Sequence, residues 1–141
     1  MEGFNQETSL QQLELNGSAV FSTSSGSSRE NELDILHLFG KEKLENIQKS
    51  LSKATGLAFV TVDYRGEPIT ESTSFSSFCR MARNDGQLSL RCKSSDAFGS
   101  IQAAVMQKPS VYFCPCGLLE VAIPIVVRGH YLGGFIGGQV R

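Results

Sequence analysis

Tryptophan is absent from this chain of 141 residues, and histidine occurs only twice. Charge of either sign is scarce in excess: 13 Lys and Arg face 14 Asp and Glu, a net charge of −1. A chain so near neutrality has no bulk attraction for nucleic acid or an acidic membrane surface. Long hydrophobic runs are missing too. The apolar stretches near the end are interrupted by Pro124, Arg128, Gly129 and His130, and none is long enough to span a bilayer. The opening MEGFNQETSL lacks the basic flank and apolar centre of a secretory signal. These absences predict a cytoplasmic protein without membrane association. In that compartment four cysteines stand as thiols or metal ligands rather than disulfides. Catalytic motifs are also lacking. There is no phosphate loop with its lysine, no serine elbow and no paired-histidine motif, so a non-enzymatic domain is expected.

What is present suffices for one core, since 40% of the residues are hydrophobic. Nine of the twelve residues 17–28 are Gly, Ser or Thr. Residues 1–28 therefore read as a flexible segment and 29–141 as the domain. Ser27 and Glu30 have capping-box spacing, and ENELDILHLF reads as a helix ending at Gly40. A second helix, KEKLENIQKSLSKAT, places Leu44, Ile47, Leu51 and Ala54 on one face and stops at Gly56. LAFVTVD alternates as a strand, Asp63 to Gly66 makes a corner, and Glu67 to Thr70 returns as a short strand that Pro68 assigns to an edge. FSSFCRMAR reads as a helix and NDG as a turn. The next helix is expected from Ser89 or Ser95, with Phe98, Ile101 and Val105 buried and Lys108 and Pro109 at its end. Three strands follow: Val111 to Phe113, Leu119 to Val127, and Tyr131 to Val140 after a tight connection at Arg128 to His130. The expected class is α+β (α/β in the broad sense), an antiparallel sheet with helices on one side. The last strand runs to the final residue, so a further C-terminal module is expected.

Gly133, Gly134, Gly137 and Gly138 fall inside that last strand, where each costs up to about 1 kcal/mol relative to alanine. The room they leave admits either a closely packed helix or a ligand. Pro124 in the partner strand removes an amide and implies a bulge or an edge.

Taken in order, these pieces resemble the PocR-type sensory domain of bacteria. The likeness rests on VTVDYRGEPIT, on Phe78 and Cys79 in a helix, and on RCKSSD with Cys92 and Asp96. It continues through Tyr112, Cys114, Gly117 and Leu118, then Pro124 and Ile125, and closes with Gly129, Leu132, Gly133 and Gly138 to Val140. It spans about Leu33 to Arg141, and Cys116 departs from the pattern. The resemblance implies a PAS-like fold and a sensory role, with a small hydrocarbon-derived ligand such as propanediol or glycerol. It also implies fusion to an output module, an AraC-type DNA-binding domain, a histidine kinase or another signalling output, and contact with DNA only through that module. The candidate ligand pocket comprises Phe78, Cys79, Cys92, Asp96, Phe113, Cys114, Glu120, Ala122 and Gly134.

The cysteines leave three readings open. Cys79, Cys92, Cys114 and Cys116 are soft apolar lining of the pocket, ligands of zinc or an iron–sulfur cluster, or redox-responsive thiols. Pro115 extends the chain at Cys114. Residues two apart in a strand sit about 6.5–7 Å apart, whereas two sulfurs on one zinc approach to roughly 4 Å. A turn at Pro115, or help from side-chain rotamers, is needed to bring them together. Asp96 is either a ligand partner or a charge near a helix start, and Glu120 either faces the pocket or solvent. Leu33, Leu36 and Phe39 on the first helix form a candidate homodimer face.

Overall fold

Helix α1, Ile35–Phe39, opens where Asp34 adopts an extended conformation and its side chain accepts a hydrogen bond from the His37 N–H at 3.3 Å. A computed structural model of the chain describes residues 34–140. The Ser27 and Glu30 capping box, the linker before it and Leu33 lie outside those residues. Asp34, expected inside the helix, is instead its cap. Gly40, at φ 78°, separates α1 from α2, Lys41–Thr55. Gly56, at φ 74°, closes α2 in the left-handed conformation that glycine adopts without steric cost.

The inner face of α2 differs from the expected one. Leu44, Gln48 and Ser52 are buried, while Ala54 is exposed. The deciding contact is polar. Thr61 and Thr70 both donate hydroxyl hydrogen bonds to Gln48 Oε1. Gln48 Nε2 donates to the Glu71 carbonyl at 2.8 Å and to Thr73 Oγ1 at 3.3 Å. This network fastens the segment after β1, Ala58–Asp63, beneath α2. That segment forms two isolated bridges, Val62 to Pro68 and Phe59 to Thr73, rather than the expected strand. Pro68 has no N–H; around it the Asp63 and Ile69 N–H groups donate to the Glu67 and Thr61 carbonyls at 2.9 Å, and the Thr61 N–H donates to Thr70 Oγ1 at 3.1 Å.

Helix α3, Ser77–Asn84, starts on Ser76, whose hydroxyl accepts from the Cys79 N–H at 3.1 Å. Asp85 breaks the chain and caps α4, Gly86–Met106, by accepting from the N–H groups of Gln87 and Leu88. That cap starts α4 earlier than Ser89. Strands β2, Ser110–Phe113, β3, Leu119–Val127, and β4, His130–Val140, complete an antiparallel sheet in the order β1-β4-β3-β2. Arg128 and Gly129, at φ 53° and 79°, make the two-residue turn, so His130 belongs to the strand. A register irregularity falls between Ile125 and Val126, just after Pro124.

Helices cover both faces of the sheet, not one. On the α4 side Val60, Val62, Ala103, Ala122 and Ile136 form a core cluster. On the other side Ile35 and Leu44, from α1 and α2, pack with Ile125 and Leu132. Leu36 and Phe39 rest against this second cluster. The architecture is α+β and PAS-like.

The inner face of α4 corrects the sequence reading most sharply. Asp96, Gly99, Ser100 and Ala103 face the sheet, whereas Phe98, Ile101 and Val105 are exposed. Close approach explains it. A methyl group at Gly99 would run into the Tyr112 ring, and one at Gly134 into Ser100 Oγ. Only small residues fit there. On the opposite face the Phe59 ring lies over Gly137. The room left by the strand glycines is thus taken up by the protein's own side chains.

Candidate functional site

The cleft lies beyond the glycine-rich strand, where α3 leans on the first half of α4. From α3 come Phe78, Cys79, Ala82 and Arg83; from α4, Cys92 and Asp96; from the β2–β3 loop, Cys114, Cys116 and Leu118; from β3, Glu120. The enclosed part of the space is about 20 Å³, enough for one water-sized group, and the open mouth above it brings the total to about 320 Å³. The periodicity of α3 accounts for its share: Cys79 and Ala82 are buried, and Arg83 follows Cys79 by one helical turn.

The floor is ionic. Arg83 Nη2 donates to Asp96 Oδ2 at 2.7 Å, with the two side chains only 17% and 1% exposed. The guanidinium also stacks over Phe75 at 5.3 Å. Tyr112 Oη donates to Asp96 Oδ1 at 3.3 Å. Burial opposes the charge on Arg83, but Asp96 outweighs it and holds Arg83 above its ordinary value. Burial likewise raises Asp96, while Arg83 pulls it back. Glu120 makes no ion pair of its own, and Arg83 and Tyr112 only partly stabilise its charge. Burial, reinforced by the Asp96 charge, pushes it up to about 7. The Tyr112 hydroxyl is raised by burial and then by both carboxylates. Arg83 and Tyr112 both donate to Asp96, which favours negative charge there, while burial and that charge favour the protonated form of Glu120. Two buried atoms here have no hydrogen-bond partner: Arg83 Nη1 and Glu120 Oε2.

Seven of the expected residues come together here, Phe78, Cys79, Cys92, Asp96, Cys114, Cys116 and Glu120. Three do not. Phe113 is 72% exposed, because Tyr112 beside it turns to α4 and alternation sends Phe113 to the other face. Ala122 is wholly buried in the core, and Gly134 lies under Ser100. Arg83, Ala82 and Leu118 escaped the sequence reading.

The metal site on Cys79, Cys92, Cys114 and Cys116 is not supported. Among the described residues no group of three or more His, Cys, Asp or Glu is placed to hold a metal ion. A turn does form at Pro115: the Gly117 N–H donates to the Cys114 carbonyl at 2.9 Å, and the Cys114 N–H to the Leu118 carbonyl at 2.8 Å. It directs Cys114 Sγ into the loop, where it accepts from the Leu118 N–H at 3.4 Å. Burial raises the Cys92 and Cys114 thiols, which opposes the thiolate that a metal requires. All four are free cysteines.

Residues 37–141 match a family model described as the sensory domain found in PocR. The chain belongs to the PocR sensory-domain family. It is similar to the regulatory protein PocR of Salmonella typhimurium, 39% identical over 100 residues that make up 71% of this chain and 33% of that protein. The chain thus spans about a third of the length of that relative. No solved structure matches it. Among the described residues no helix is long and apolar enough to cross a membrane. As a PocR-family sensory domain the chain has a sensory role.

Proposed function

We propose that the cleft binds a small neutral hydroxylated metabolite, a short diol or glycerol-like molecule, and that the domain reports its presence to an output module in a longer cytoplasmic regulatory protein. One observation carries this reading. An unpartnered donor, Arg83 Nη1, and an unpartnered acceptor, Glu120 Oε2, share the floor beneath walls of Phe78, Ala82, Leu118 and thiols. Buried polar atoms without partners are costly, so a hydroxyl that accepts from one and donates to the other relieves that cost. The floor favours a neutral guest. Arg83 is neutralised by Asp96, and Glu120 keeps its proton up to about 7. A carboxylate meets two acids; an ammonium meets the guanidinium.

Residues 29–141 are the sensing unit in this proposal and 1–28 a tether. DNA is reached only through the output module; similarity to a regulatory protein supports a DNA-binding module over a histidine kinase. A diol of five or six heavy atoms gains at most about 1.5 kcal/mol per atom, so dissociation constants from micromolar to millimolar are expected. A thermal-shift panel at millimolar concentration tests this. Diols and glycerol raise the midpoint, short carboxylic acids and amines do not, and Glu120→Ala abolishes the response. A panel in which no diol or polyol shifts the midpoint overturns the assignment.

A further inference from the structure

We propose that the outer face of α4 is the surface through which two copies of this domain pair. The two sides of the helix differ in size and polarity. Small and polar residues face the sheet, and the large side chains point away: Leu90 is 64%, Phe98 66%, Ile101 40% and Val105 56% exposed. A contiguous exposed stripe of large apolar side chains marks an interaction surface.

The spacing fits a second helix of the same kind. Ser94, Phe98, Ile101 and Val105 follow one another at intervals of four, three and four residues, the alternation of a seam that packs against another helix. The seam is also compatible with itself. Arg91 is its one charge and sits toward the N-terminal end, so an antiparallel pair about a two-fold axis near Phe98 and Ile101 keeps the two arginines apart. The area is of the right order. Side chains of this size carry about 150–200 Å² each, so the exposed parts amount to roughly 400 Å² of apolar surface per copy. A standard interface takes about 800 Å² from each partner, an apolar centre within a polar rim. The stripe supplies the centre, and Gln87, Ser94 and Gln102 supply rim. The cleft takes Cys92 and Asp96 from α4 and none of the stripe residues, so the two surfaces share no side chain.

Sedimentation equilibrium of the whole chain tests the pairing. Twice the single-chain mass of 15.3 kDa is expected. The double substitution Phe98→Glu with Val105→Glu weakens association at least about 100-fold, because it places charge at the centre of the seam. Circular dichroism stays unchanged, since both side chains are exposed. Val111→Glu, on the edge strand β2, leaves the dimer intact. Ile101→Cys joins the two copies through a disulfide on mild oxidation, mapped by mass spectrometry. Should the double variant fail to fold, that cross-link decides the matter alone. A wild-type chain monomeric at about 100 µM overturns the proposal. So does a dimer that withstands the double substitution, or one that yields no cross-link at position 101.

Discussion

Two buried polar clusters lie on opposite faces of one sheet, and they differ in a telling way. Under α2, Gln48 is wholly buried, and both ends of its amide are partnered by Thr61, Thr70, Glu71 and Thr73. Under α3 and α4, Arg83 and Glu120 are each left with an atom that bonds to nothing. The first cluster spends all its hydrogen-bonding capacity on holding a strand-poor segment to the sheet. The second keeps capacity in reserve at the bottom of an open cleft. A closed network fixes structure; an unclosed one marks a place for a guest.

The largest break in that comparison comes from Arg83→Met. It strands Asp96 as a buried carboxylate, and a loss of about 3–5 kcal/mol in urea unfolding at neutral pH is expected. The loss shrinks in acid, where Asp96 takes up a proton. Gln48→Ala strands the Thr61 and Thr70 hydroxyls and the Glu71 carbonyl, with an expected loss of about 2–4 kcal/mol that does not vary between pH 5 and 8. pH thus separates the two clusters.

Glu120→Gln sharpens the contrast further. The folded chain holds the Glu120 proton up to about 7, whereas its reference value is 4.5. Between those values the folded state binds more protons than the unfolded one. Stability therefore falls as pH rises from 4.5 to about 7 and levels off above. The Gln variant loses this slope and is more stable than wild type by roughly 2–3 kcal/mol at pH 8, read from denaturation midpoints. The smallest effect belongs to Cys116→Ser at the cleft. It shifts unfolding by less than about 0.5 kcal/mol, since the thiol makes no bond that holds the fold.

The parts legible in the sequence are those governed by local chemistry. The ends of α2 follow from Gly40 and Gly56, and the β3–β4 turn from Arg128 and Gly129. The face of α4 was not legible. Phe98, Ile101 and Val105 keep helical spacing, but so do Asp96, Gly99 and Ser100. The choice is made by the Tyr112 ring and by Gly134, which lie far along the chain. Asp96, Cys79, Cys92 and Cys114 were named because the resemblance runs through them, whereas Glu120 was named as the lone acid of its strand and Cys116 as a departure from the pattern. Arg83 was missed because one arginine in a helix that also carries Arg80 looks like an ordinary solvated charge. Its meaning appears only opposite Asp96. Gln48 was missed because a buried amide breaks the apolar period it occupies.

The most direct test is the titration of the Glu120 side-chain carboxyl by carbon-13 NMR, alone and with saturating 1,2-propanediol. A midpoint near 7 is predicted for the free domain. It falls by about one unit or more with the diol, because a hydroxyl donated to the carboxylate favours its charged form. A midpoint that stays the same with and without the diol would contradict the claim that Glu120 is held open for a guest.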